Sequence, residues 1–130
     1  MPLSITSRLC SGVVIVEMDG SLCVPDVALR ECINELLEEG HRAFVLNIAN
    51  VPHVDSFGLG QLITVWTSVL NKGGHLILLR PADHVQALFR ITKLNTIFRI
   101  SGEESQAVKS ARSNVFGTIA YVVPTSSSMP

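Results

Sequence analysis

The spacing of apolar residues changes from a strand period to a helical period along the first forty residues. Residues 3–5 alternate apolar and polar, and residues 13–16 form an apolar run after Ser11-Gly12, so two short strands joined by a turn are predicted. Apolar residues then recur three and four positions apart, which predicts a helix from about residue 25 that ends at Gly40. The apolar face of this helix consists of Leu29, Cys32, Ile33, Leu36 and Leu37.

The rest of the chain alternates between short apolar runs and segments of helical period. The predicted elements are a strand at 43–48, a helix over 59–70, a strand at 75–79, a helix that begins at Pro81, a strand at 97–100, and a helix to about Arg112 that a Ser101–Glu104 capping box opens. The order β-β-α-β-α-β-α-β-α predicts an α/β domain with about four helices and a mostly parallel sheet of four to five strands.

The carboxyl-terminal residues have a different composition. Residues 1–112 are predicted to form one domain, and residues 113–130 an extension. Within the extension, 118–123 has the composition of a strand, whereas the Ser/Pro-rich residues 124–130 are expected to be disordered because they have too few apolar side chains to form a core.

Composition excludes several classes of protein. The chain has 130 residues, of which 47% are hydrophobic and 16% charged, unlike a disordered chain or a coiled coil. Its longest apolar runs are about four to five residues, far below the roughly 20 that a membrane-spanning helix needs. A net charge of -1 provides no basic surface for nucleic acid. Without a basic and apolar leader, a cytoplasmic location is expected.

The three cysteines and four histidines show no metal or disulfide pattern. Cys10, Cys23 and Cys32 form no C-x-x-C pair, and the histidines are scattered. We therefore expect free thiols in a reducing compartment, histidines at surface or edge positions, and no metal site.

The segment 54–60, Val-Asp-Ser-Phe-Gly-Leu-Gly, is the candidate functional site, at the junction of a strand-following loop and a helix. Ser56 is predicted to cap the helix. Gly58 and Gly60 each cost about 0.8–1 kcal/mol relative to alanine inside a helix, so a strand, ligand or partner is expected to approach closely. The alternative is that Ser56 is a cap alone and the glycines relieve crowding.

Known enzyme motifs are absent around Ser56. A hydrolase elbow requires Gly-x-Ser-x-Gly, but Val54 stands two positions before the serine. His53 is near in sequence without a partner at triad spacing, and the Gly-Lys-Ser/Thr ending of a phosphate-binding loop is missing. A non-enzymatic protein without a cofactor is therefore predicted.

Residues 45–48 and 54–60 together closely resemble the signature of STAS domains of the bacterial anti-sigma factor antagonist type. The Asp19-Gly20 turn with its flanking residues, Gly73-Gly74, and Leu88-Phe89 followed by Leu94 also match positions of this family. The resemblance covers roughly residues 3–112.

This resemblance implies a regulatory function by partner switching. Ser56 would be the serine phosphorylated by an anti-sigma factor that is also a serine kinase with bound ATP, and a metal-dependent phosphatase would reverse the mark. The unphosphorylated protein would draw the kinase off its sigma factor, and a homodimer is compatible with the family. The implied partner-binding residues are Asp55, Ser56, Phe57, Gly58, Gly60, Ser21 and Cys23.

Two positions depart from the family pattern. Cys23 stands where an acidic residue is common, and Phe57 stands where many members have a second serine. Phe57 is either an exposed partner anchor or packed onto its own helix. The alternative function is a STAS interaction subunit of a lipid transporter or stress-sensing assembly that has no phosphorylation cycle.

Overall fold

The computed structural model describes residues 3–23 and 27–116, in which strands and helices follow the predicted order. The elements are β1 (Ser4–Cys10), β2 (Val13–Asp19), α1 (Ala28–Glu38), β3 (Ala43–Asn50), α2 (Ser56–Asn71), β4 (His75–Leu79), α3 (Asp83–Ile91), a short 3-10 helix (Leu94–Thr96), β5 (Arg99–Ser101) and α4 (Glu104–Phe116). The predicted α/β class is confirmed.

The five strands form one sheet in the order β1-β2-β3-β4-β5. β1 is antiparallel to β2, and the remaining neighbours are parallel, which confirms a mostly parallel sheet. The carboxyl ends of β2 and β3 therefore lie at the same edge of the sheet. The chain leaves β2 into the loop 20–23 and leaves β3 into the segment before α2, so these two connections meet at that edge.

The sheet is covered on both faces, as the apolar runs of β3 and β4 predict. Alternate residues of the strands point to opposite faces because the strand period is two. One face packs under α1, α2 and α3 and includes Val14, Val16, Phe44, Leu46 and Leu78. On the opposite face, Ile15, Val45 and Ile77 of the strands pack against Ala107 and Ala111 of α4.

The last strand is shifted relative to the prediction. Residues 97–100 were expected as a strand, whereas β5 is Arg99–Ser101. The 3-10 helix occupies the preceding residues, and the Phe98 N–H donates to the Leu94 carbonyl at 2.8 Å. The predicted strand therefore begins later than expected, because this turn buries Leu94 and Phe98 in the core.

The predicted Ser101–Glu104 capping box is wrong. Ser101 pairs with Leu79 as part of β5, and helical hydrogen bonding begins with the Ala107 N–H to the Glu103 carbonyl. The Glu104 carboxylate accepts a hydrogen bond from Arg8 of β1 at 2.6 Å. α4 extends past Arg112 to Phe116. The strand expected at 118–123 and the Ser/Pro-rich end lie outside the described residues.

Candidate functional site

The helix α2 is capped by Asp55 and not by Ser56, which corrects the sequence prediction. Asp55 has an extended backbone, with φ -90° and ψ -177°, and its Oδ1 accepts a hydrogen bond from the Gly58 N–H at 2.7 Å. Its carbonyl accepts from Leu59 at 2.8 Å, so regular helical bonding starts there. Ser56 is consequently the first helical residue, and its hydroxyl is not needed for the cap.

Ser56 lies exposed at the amino end of a 16-residue helix. The first turn of α2 contains no acidic residue apart from its cap. Backbone N–H groups of a first helical turn lack partners within the helix, and the helix dipole favours negative charge there. The site can therefore accommodate an anionic group on the Ser56 side chain.

Gly58 is required by a contact within the chain. A Cβ atom at Gly58 would lie 2.0 Å from the carbonyl oxygen of Leu22, a distance that real side chains do not adopt. Leu22 is fully buried, its N–H donates to the His53 carbonyl at 2.9 Å, and its carbonyl accepts from the Asp55 N–H at 3.3 Å. The close approach expected at Gly58 is thus made by the loop 20–23.

The same contact brings the loop after β2 to the start of α2. Leu22 forms an isolated parallel bridge with Val54. Ser21 and Cys23 flank this bridge and are both half-buried. The structure therefore places these two predicted partner-binding residues beside the segment that contains Asp55 and Ser56.

Gly60 differs from Gly58 because the space over it is open. A Cβ atom at Gly60 would meet no atom of the described residues within 4 Å, apart from its own helix backbone and chain neighbours. A surface groove of about 340 Å³ passes over it, lined by Arg30, Ser56, Phe57, Gly60, Gln61 and Thr64. Phe57 is 39% exposed, which leaves its ring accessible. Ser56, Phe57 and Gly60 therefore share one groove, while Gly58 is buried beneath it.

Arg30 and Gln61 belong to the site but were missed from the sequence. Gln61 is 5% exposed and is the sole buried polar side chain within the described ranges. Its Oε1 accepts a hydrogen bond from the Arg30 N–H at 3.0 Å. Val27, the residue before α1, provides no side-chain cap. Gln61 of α2 therefore accepts a hydrogen bond from one of the N–H groups that have no helical partner at the start of α1. The sequence indicates Gln61 through its spacing, because it stands three residues after Gly58 and therefore lies on the same face of α2.

A pair of exposed histidines lies nearby. His53 precedes α2 and His84 lies in the first turn of α3, and their ring centroids are 5.4 Å apart at an interplanar angle of 51°. His41 and His75 are half-buried. Across the described segments, no group of three or more His, Cys, Asp or Glu side chains is arranged to hold a metal ion.

No helix within residues 3–23 and 27–116 combines the length and the apolar character that crossing a bilayer requires.

The chain is similar to known regulatory proteins over most of its length. Residues 5–107 match the STAS domain. The anti-sigma-B factor antagonist of Staphylococcus aureus is 29% identical over 66% of this chain and 81% of its own. The crystal structure of a candidate anti-sigma factor antagonist of Thermotoga maritima superposes with a TM-score of 0.76 at 25% identity, covering 83% of this chain and 94% of that one.

A further structural likeness concerns the fold alone. The anti-sigma factor antagonist SpoIIAA in its unphosphorylated form gives a TM-score of 0.71 at 20% identity, covering 85% of this chain and 97% of that chain. The phosphorylated form of this Bacillus cell fate determinant gives a TM-score of 0.64 at 19% identity, covering 82% of this chain and 99% of that chain. Because the STAS match covers 5–107, which includes every element from β2 to β5, the chain belongs to the STAS domain family.

Proposed function

We propose that this protein is an anti-sigma factor antagonist that is switched by phosphorylation of Ser56. In its unphosphorylated form it binds an anti-sigma factor that is also a serine kinase, and the sigma factor is released. The names of the Staphylococcus aureus and Thermotoga maritima relatives support the antagonist function. The observation that carries the switch is the exposed Ser56 at the start of α2, next to an open groove.

Asp55 caps the helix and Ser56 is exposed, and this difference supports phosphorylation of Ser56. A kinase transfers the γ-phosphoryl group of ATP to a serine hydroxyl, so the hydroxyl must be accessible and its phosphorylation must leave the fold intact. Asp55 provides the helix cap through its bond to Gly58, so modification of Ser56 leaves the cap in place. The phosphate charge is stabilised by the helix terminus by about 0.3–1 kcal/mol and opposed by the neighbouring Asp55 carboxylate, so the domain remains folded.

The partner surface consists of the groove residues Ser56, Phe57 and Gly60, flanked by the half-buried loop residues Ser21 and Cys23. A phosphoserine adds about -1.5 to -2 charges to this surface. Burying such an anion at an interface without a matching cation costs several kcal/mol. A cost of about 3 kcal/mol corresponds to roughly a hundredfold loss of affinity. The partner would carry the ATP, and a serine phosphatase would restore the binding form.

The binding switch can be tested with charge variants. Affinity for the cognate anti-sigma factor is measured by calorimetry for the wild type, Ser56→Ala, Ser56→Asp and Ser105→Asp. Ser105 is a matched control because it is an exposed serine in the first turn of α4. We expect Ser56→Ala and Ser105→Asp to bind as the wild type does, and Ser56→Asp to bind roughly a hundredfold more weakly. Equal binding of Ser56→Asp would contradict the switch and indicate a docking subunit without a phosphorylation cycle.

The phosphorylation itself needs a separate measurement. Incubation with the cognate kinase and ATP should add one phosphate, and peptide mass spectrometry should locate it on Ser56. Ser56→Ala should remain unmodified under the same conditions. A phosphate found only among Ser126, Ser127 and Ser128 would show that the assignment is wrong.

A further inference from the structure

An unpaired cation borders the groove that contains Ser56. Arg30 lies in the first turn of α1 and is exposed, and its backbone N–H is held by Gln61 of α2 at 3.0 Å. This bond fixes the start of α1 against the second turn of α2. Within the residues that the structure describes, the guanidinium of Arg30 makes no hydrogen bond or ion pair. Its donors are therefore available to an acceptor in the groove.

Among the described residues that line the groove, none carries a carboxylate that could compete for this cation. These residues are Arg30 and the uncharged Ser56, Phe57, Gly60, Gln61 and Thr64. Glu31 follows Arg30 in the first turn of α1 but is not part of the lining. Asp55 is occupied by its bond to the Gly58 N–H. The described lining of the groove therefore carries one positive charge, that of Arg30, before modification.

The groove also has room for a phosphate group. Its volume is about 340 Å³, and no described residue outside the local helix backbone and the chain neighbours of Gly60 comes within 4 Å of the position of a Cβ atom there. An arginine binds phosphate oxygens well because its planar guanidinium donates two parallel hydrogen bonds. Ser56 on α2 and Arg30 on α1 border the same groove from two helices.

We propose that Arg30 binds the phosphate of phosphorylated Ser56 across this groove, as an internal countercharge of the switch. This inference rests on the proposed phosphorylation of Ser56. The phosphate lies over Gly60, neutralises Arg30, and changes the groove from a cationic surface to one of net negative charge. Phosphorylation thereby fills the surface on which the partner binds, in addition to repelling it by charge.

The pair can be tested without the kinase. Phosphoserine is incorporated at position 56 during translation, and the phosphate is titrated by phosphorus NMR. The second pKa of phosphoserine is near 6, and a nearby cation lowers it because it favours the dianion. We expect the apparent pKa to rise by about half a unit or more in Arg30→Ala. Arg30→Lys should recover part of the difference, since it keeps the charge but loses the bidentate geometry.

Two controls separate this pair from general effects. Arg112→Ala removes an exposed arginine of α4, which packs on the opposite face of the sheet, and should leave the phosphate pKa unchanged. The difference between wild type and Arg30→Ala should shrink at 1 M salt, where exposed charges are screened. Arg30→Ala retains the backbone bond to Gln61, so the unphosphorylated variant should melt as the wild type does.

An identical titration of wild type and Arg30→Ala would overturn the proposal. An equal shift in Arg112→Ala would also overturn it, because net charge alone would then explain the effect. Either result leaves the kinase and affinity experiments on Ser56 unaffected. Conversely, failure of the kinase to modify Ser56 would contradict the proposed function while the titration still measured the pairing.

Discussion

Gly58→Ala and Gly60→Ala add the same methyl group two residues apart, but only Gly58→Ala should lower the stability of the domain. At Gly58 the new Cβ would lie 2.0 Å from the Leu22 carbonyl oxygen and 2.8 Å from its carbonyl carbon. At Gly60 it would meet no described residue within 4 Å outside its own helix segment. The contact partner at Gly58 is backbone, so no side-chain rotation can relieve the clash, and α2 and the loop 20–23 must separate by at least 1 Å.

The magnitude follows from the contacts of Leu22. Separation strains the hydrogen bonds of Leu22 to His53 and Asp55, at about 0.5–1.5 kcal/mol each. Overpacking destabilises the domain by a further amount of about 1–3 kcal/mol, whereas the higher helix propensity of alanine stabilises it by about 1 kcal/mol. We expect Gly58→Ala to lower the free energy of unfolding by about 3 kcal/mol. Gly60→Ala should leave it unchanged or raise it by up to about 1 kcal/mol.

Urea unfolding followed by far-ultraviolet circular dichroism measures this difference. With a slope of about 1–3 kcal/mol per molar urea, the midpoint of Gly58→Ala should fall by roughly 1–3 M at an unchanged slope. Gly60→Ala is the matched control because it shares the helix, the residue type and the substitution. Equal midpoints for the two variants would refute the reasoning, as would a loss of stability in Gly60→Ala alone.

Three smaller predictions concern folding. Asp55→Ala should lower the free energy of unfolding by about 0.5–2 kcal/mol, measured by thermal melting, because it removes the cap of α2. The control Asp83→Ala should change this free energy by less than about 0.5 kcal/mol, because Asp83 caps no helix. Gln61→Leu should cost about 1–3 kcal/mol in urea unfolding, since the Arg30 N–H loses its acceptor in a buried position; a stability equal to wild type would contradict the capping function. Burial, reinforced by two nearby glutamates, raises the pKa of the Cys32 thiol. The unfolded thiol therefore ionises first, and stability is lost as the pH rises from the unfolded pKa through the folded one. Between pH 8 and 10, urea midpoints should consequently fall more steeply for the wild type than for Cys32→Ser, and parallel slopes would count against the burial effect.

The architecture could be predicted because it depends on short-range periodicity. The apolar runs of β3 and β4 are long enough for strands and too short for helices, and their residues alternate between the two faces of the sheet. The helical spacing of Leu29, Ile33 and Leu37 similarly identified the buried face of α1. These patterns need no knowledge of distant contacts.

The details of the site depend on contacts between residues far apart in sequence. Ser56 and Asp55 are both favourable capping residues, and the choice between them is made by the extended backbone of Asp55, whose N–H bonds to Leu22. Likewise, Glu104 was assigned to a local capping box, but its carboxylate binds Arg8, 96 residues away. Local sequence cannot distinguish Gly58 from Gly60 either, because only the position of Leu22 does so.

Helical geometry places two sets of residues on different sides of the start of α2, one that stabilises the fold and one that lines the groove. Asp55, Gly58 and Gln61 recur at intervals of three, so they lie on one side of the helix, where they contact the loop 20–23 and the start of α1. Ser56, Phe57 and Gly60 instead line the groove. Substitutions on the first side should therefore change stability, and those on the second should change partner binding with the fold intact. A buried side that fixes the backbone of Ser56 also fixes the point at which its side chain leaves the helix, so the phosphate can alter the groove without requiring a change of fold.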